Sequence, residues 1–188
     1  MDALMAALVA AFVIQATDRT PWFTAILADR CRQPAMVLLA SLVALAAGYC
    51  AAALAGALVG PRLTPEAREL FLAVSLVLAG AGAFAPVKRP DRFAGSRLGS
   101  FATTLLGVIS LATGDRTQFV VATLAARSAI PGMAAAGAFI GALAIVVPAT
   151  IAGEAARAKL PITAIRFATG VLLLIVGAVS GLGALRLI

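Results

Sequence analysis

Histidine is absent from the chain, and cysteine occurs only twice, at Cys31 and Cys50. The first absence removes the commonest transition-metal ligand and the commonest proton shuttle near neutral pH. The two cysteines have the spacing of neither a zinc site nor a disulfide framework, so both read as free thiols. Charge is scarce as well. Asp, Glu, Lys and Arg make up 12% of the 188 residues, about half the share usual in soluble domains. A His-based triad, a phosphate loop and a metal-hydrolase motif are all missing, so nothing points to an enzyme or to a resident cofactor. The net charge of +7 sits in short loops between apolar runs and comes with no nucleic-acid-binding motif. It reads as membrane topology, not as nucleic-acid contact.

What the chain has is apolar residues: 62% are hydrophobic and the mean hydropathy is +1.05. A globule of this size cannot hide that excess, so lipid must supply the remaining apolar environment. The composition predicts an all-α integral membrane protein forming one membrane domain. A span needs about 20 residues, which places six at 3–28, 34–60, 70–84, 98–126, 131–153 and 161–187. The first has no basic flank before it and ends in a poor cleavage signal, so it reads as a retained helix. Thr64 followed by Pro65 reads as a helix start. Pro148 is expected to kink the fifth span, and Pro21 the first.

Lys and Arg set the orientation. Nine of them (Arg30, Arg32, Lys88, Arg89, Arg92, Arg97, Arg157, Lys159 and Arg166) fall on one side, and four (Arg62, Arg68, Arg127 and Arg186) on the other. The richer side is cytoplasmic by the positive-inside rule. Both termini are therefore expected outside and the 85–97 linker inside. Arg30 and Arg127 read as snorkelling side chains at the membrane surface. Glu154 reads as an interfacial partner of Arg157 and Lys159.

A shift of 97 residues lays the chain on itself. Asp18-Arg19-Thr20 falls on Asp115-Arg116-Thr117, Arg30 on Arg127, Pro34 on Pro131 and Gly56 on Gly153. Apolar composition explains matched Ala and Leu, but not Asp-Arg-Thr, Arg and Pro in register. The chain therefore reads as two repeats, 1–84 and 98–188. Three spans per repeat is an odd number, so the second copy would enter the membrane from the opposite side. Such inverted repeats are typical of transporters and bind substrate near the midplane.

Asp18 and Asp115 fall near mid-bilayer, where a carboxylate normally faces a cavity or a partner. Two carboxylates converging in a dry site are expected to hold a cation or protons. Gln15, Thr17 and Thr20 flank Asp18; Ser110, Thr113, Thr117 and Gln118 flank Asp115. Helical spacing of three would set Gln15 and Gln118 on the faces of their aspartates. Oxygen donors of this kind suit Ca²⁺, Mn²⁺ or Mg²⁺. A different reading stays open: Asp18 with Arg116 and Asp115 with Arg19 would form a closed structural cross that binds nothing.

The motif Gly114-Asp115-Arg116-Thr117, its preceding helix and the following Ala122 to Arg127 stretch resemble the second signature helix of the Golgi-type calcium/manganese–proton exchanger family of the lysine-exporter superfamily. That family carries Glu-x-Gly-Asp-(Lys/Arg)-(Ser/Thr) once per repeat, and the resemblance, to a divergent bacterial member, covers nearly the whole chain. Here Gln15 and Ala112 stand where the family has Glu, and Thr17 stands for its first Gly. The resemblance implies a secondary transporter in the inner membrane that exports Mn²⁺ or Ca²⁺ against protons. Asp18 and Asp115 would be the metal ligands; Gln15, Thr20, Thr117 and Gln118 would complete the shell; Arg19 and Arg116 would modulate its charge. A carrier of another small solute, with the arginines as an anion site, is the alternative, and so is a membrane protein that transports nothing.

Overall fold

The computed structural model describes residues 2–85, 99–158 and 161–186, the side chains of 156–158 excepted. All regular elements among them are helices: α1 (Asp2–Gln15), α2 (Thr20–Cys31), α3 (Pro34–Val59), a 3₁₀ turn (Gly60–Arg62), α4 (Pro65–Phe84), α5 (Ser100–Ala112), α6 (Arg116–Arg127), α7 (Gly132–Ala158) and α8 (Ile162–Ala184). Four of them, α3, α4, α7 and α8, are long and apolar enough to cross a membrane. Counting α1 and α2 as one broken span makes five. The expected 85–97 linker lies outside the described residues apart from Ala85, as does Lys159.

The first span is not the single helix that its hydropathy predicts. α1 and α2 meet at 60°. After Gln15 the backbone bonds tighten to i−3, from Thr17 N to Ile14 O at 3.1 Å and from Asp18 N to Gln15 O at 3.2 Å. The chain then restarts. Asp18 Oδ2 accepts from the Thr20 N–H at 3.4 Å, which supplies a partner to one orphan donor of the new helix. Pro21 stands in the first turn of α2. There its missing N–H costs nothing, so it starts a helix and does not kink one.

The segment expected to be the fourth span is also interrupted at its Asp-Arg-Thr motif. Thr113 is extended, Gly114 has φ +79 and Asp115 is the extended N-cap of α6. The break leaves helices of 13 and 12 residues, too short to cross a membrane singly. In α7 the backbone leaves helical geometry at Gly153 (φ 75, ψ −178), beyond Pro148, where the kink is expected. The Thr64 reading holds: its side chain caps α4 by accepting from the Ala67 N–H at 3.2 Å.

In lipid, helices associate through close packing, and small residues allow it. α1 lies along α7 and α4 along α8. A Cβ on Gly137 or Gly141 would stand 2.1 or 2.2 Å from the Leu4 or Leu8 carbonyl, so this GxxxG-like pair serves packing within the bundle. Gly56 of α3 and Gly60 of the 3₁₀ turn rest on the Ala122 and Ala126 carbonyls of α6. Arg166 of α8 donates to the Ala83 carbonyl at 3.1 and 2.9 Å and also to that of Ala85. It thereby satisfies the acceptors left over at the end of α4. Large apolar side chains such as Leu54, Leu58, Leu78, Ile151 and Ile175 point outward, as a lipid-facing surface requires.

Candidate functional site

Both Asp-Arg-Thr motifs sit in the helix breaks. In hydrocarbon each unsatisfied backbone group costs several kcal/mol, so broken helices survive only where protein or a cavity lines them. The breaks also aim the positive N-terminal ends of α2 and α6, and the negative C-terminal ends of α1 and α5, at the same region. Discontinuous helices of this kind hold ions in transporters.

Asp18 is buried. Its Oδ2 accepts from Thr20 Oγ1 at 3.0 Å, and its Oδ1 lies 3.7 Å from Arg116 Nη2 in the other half of the chain. Arg116 also reaches the Ala79 carbonyl of α4 at 3.5 Å, lying against Gly82. Asp115 is close enough to Asp18 for the two carboxylates to act on each other electrostatically, and both act on Tyr49. The structure thus brings together the two carboxylates that the repeat predicts to converge.

The predicted neutral ligands divide. Gln15 donates from Nε2 to the Tyr49 hydroxyl at 2.9 Å, and its Oε1 is buried without a hydrogen-bond partner. Thr117 Oγ1 faces the Asp115 carboxyl, yet it too is buried with no well-formed hydrogen bond. These are two uncommitted oxygens in a cluster that already holds two carboxylates. Thr20 is committed to Asp18. Gln118 lies on α6, its amide nitrogen packed against Gly48. The helical-face argument for Gln15 and Gln118 fails, because neither aspartate lies on a helix face: one is in a break and the other caps a helix. Among the described residues no group of three or more His, Cys, Asp or Glu gathers as a metal site. Any divalent ion held here relies on two carboxylates plus neutral oxygens.

Only half of the Asp–Arg cross forms. Asp18 pairs with Arg116, whereas Arg19 is exposed and makes no ion pair among the described residues. Instead Arg19, Ser110, Gly114, Asp115 and Arg116 line a cavity of about 310 Å³ that opens beside Gly82 of α4 and Ala85 just past its end. A second cavity, of about 460 Å³, lies near the other end of α6, with Asp2, Leu72, Leu124 and Arg127 among its walls. Arg127 stands 3.5 Å from Glu69 there. Glu154 donates its backbone N–H to Asp29 Oδ2 at 2.7 Å. Sequence reasoning missed Asp29 in this role, and it missed Tyr49 altogether. The one available signal for Tyr49 was a phenol in an otherwise apolar run.

The family model described as "Divalent cation/proton antiporter GDT1" matches twice, over residues 3–91 and 98–186. A protein of Vibrio cholerae serotype O1 named "Putative manganese exporter" is 28% identical over 159 residues, covering 84% of this chain and 80% of the relative. No solved structure matches. With nearly its whole length accounted for by that model, the chain is a multi-pass membrane protein of the GDT1 family of divalent cation/proton antiporters.

Proposed function

We propose that this chain exports Mn²⁺ or Ca²⁺ across a bacterial inner membrane in exchange for protons. Asp18 and Asp115 bind the ion and take up protons in its place. Gln15 Oε1 and Thr117 Oγ1 add neutral oxygens, with Thr20 and Gln118 in the surrounding shell. Arg19 and Arg116 balance the charge of the ion-free state. The observation that carries this reading is the meeting of two carboxylates and two uncommitted buried oxygens at paired helix breaks. The name of the Vibrio relative favours Mn²⁺.

The proposed architecture is six spans in two inverted repeats, 1–84 and 98–188, with each broken pair (α1–α2 and α5–α6) counted as one span. Two separate family matches support it. So does the packing pattern: the α1–α7 contact is answered by α5–α3, α2–α7 by α6–α3, and α2–α3 by α6–α7. Both termini would face outward, and the 310 Å³ cavity would open towards the cytoplasm. One repeat rocking against the other would then expose the site on alternate sides.

The closed structural cross is less favoured, because Arg19 takes no part in it. The test is proton-coupled flux in proteoliposomes. Addition of Mn²⁺ or Ca²⁺ on one side should drive proton movement reported by an internal pH dye, and an imposed pH gradient should drive ⁵⁴Mn²⁺ or ⁴⁵Ca²⁺ uphill. Pure, folded protein that moves neither ion under a gradient would refute the proposal. Transport of a small organic anion that depends on Arg19 and Arg116 would favour the other solute reading.

A further inference from the structure

Tyr49 is the chain's one tyrosine. It stands within α3, 2% exposed, and accepts a hydrogen bond from Gln15 Nε2 at 2.9 Å. An amide has a donating end and an accepting end. With Nε2 committed to the phenol, Oε1 is the end left over, and it is buried with no partner among the described residues. Buried polar atoms are nearly always paired, so an orphan calls for a reason. Tyr49 is also within electrostatic reach of Asp18 and of Asp115. The amide and the phenol therefore belong to the cluster that holds both carboxylates.

The two halves of the chain treat the pair as a unit. The 97-residue shift takes Gln15 to Ala112 and Tyr49 to Val146. One half carries both polar partners and the other carries neither. A ring needed only to fill space would not have to travel with an amide. A pair needed only to satisfy itself would not leave Oε1 orphaned.

We propose that Tyr49 is a positioning residue of the cation site: by holding Nε2 of Gln15 it presents Oε1 as a neutral oxygen ligand to the ion bound by Asp18 and Asp115. The inference rests on the reading of this cluster as the cation site. Hard divalent cations take oxygen and reject an N–H. Without the phenol the amide is free to turn, and its Nε2 would donate to a carboxylate and obstruct the ion. Tyr49 acts through Gln15 and need not touch the ion.

The test is equilibrium binding of ⁵⁴Mn²⁺ to the purified full chain in detergent. Wild type, Tyr49→Phe, Gln15→Ala and the double variant are compared at matched melting temperature. Each single change should weaken binding roughly five- to tenfold, about one lost hydrogen bond or ligand. The double variant should bind no more weakly than Gln15→Ala alone. Additive losses, or wild-type affinity in Tyr49→Phe, would overturn the proposal while leaving the cation site in place. Folded wild type that binds neither Mn²⁺ nor Ca²⁺ would refute the site reading itself, and this inference with it. A second readout does not depend on the folding of the Phe variant. With a single tyrosine, the tyrosine ultraviolet Raman band reports Tyr49 alone. Saturating Ca²⁺ should shift it in wild type and not in Gln15→Ala; an unmoved band in wild type overturns the proposal.

Discussion

Arg116 Nη2 lies 3.7 Å from Asp18 Oδ1, whereas Arg19, its counterpart in the first half, faces the cavity beside Asp115 and pairs with nothing among the described residues. The asymmetry sets one carboxylate against an internal cation and leaves the other facing an open space. Under the proposed function an incoming ion displaces Arg116 from Asp18. Both side chains are mostly buried, 21% and 10% accessible, so removing Arg116 takes away a countercharge that competes with the ion for the Asp18 carboxylate. Arg116→Gln should accordingly tighten Mn²⁺ binding several-fold, as measured by ⁵⁴Mn²⁺ titration. A purely structural pair behaves differently: either single change lowers the melting temperature, and the swap Asp18→Arg with Arg116→Asp restores it.

Gly114 is held in its place by conformation and not by crowding. Its φ is +79, and a Cβ there would meet nothing within 4 Å. An L-residue with a Cβ pays about 1–2 kcal/mol in this region. Gly114→Ala should lower stability by that amount and cut ⁵⁴Mn²⁺ flux, because the strain is relieved by moving Asp115. Gly114→Asn should retain more of both, since Asn visits the left-handed region more readily. Equal behaviour of Ala and wild type in thermal melts would contradict this.

Asp29 and Gly153 form a latch between α2 and α7. Asp29 Oδ2 caps the Glu154 N–H at 2.7 Å, and a Cβ on Gly153 would lie 2.5 Å from Asp29 Oδ1. The φ of 75 and ψ of −178 at Gly153 belong to a region only glycine occupies readily. Thermal unfolding should therefore rank the variants. Gly153→Ala loses most, through strain and collision together. Asp29→Ala loses about 1 kcal/mol, as for a missing cap, and Asp29→Asn, which keeps an acceptor, loses least. Any other order counts against the latch.

The residues that announced themselves in the sequence were those with a short local signal. Asp-Arg-Thr repeated in register marked both halves of the site, and Thr64-Pro65 marked a capped helix start that the structure keeps. Hydropathy located the apolar segments but could not locate the breaks within them. Averaged with their apolar flanks, Gln15 to Thr20 still read as part of one span, while the backbone turns there by 60°. Gly114 and Pro21 were the local clues, and Pro21 was misread because a proline in a first turn and a proline in a kink look alike in one dimension. Tyr49 meets Gln15 across 34 residues and Asp29 meets Glu154 across 125. Such pairings are made by the packing of α3 on the broken span and of α2 on α7, which no local spacing encodes.

The central claim is that Asp18 and Asp115 together carry the exchanged ion, and the most direct measurement is ⁵⁴Mn²⁺ and ⁴⁵Ca²⁺ flux into proteoliposomes under an imposed pH gradient for wild type, Asp18→Asn and Asp115→Asn. Gradient-dependent flux in wild type, lost in both folded variants, is the predicted result. Undiminished proton-coupled flux in either asparagine variant would contradict it.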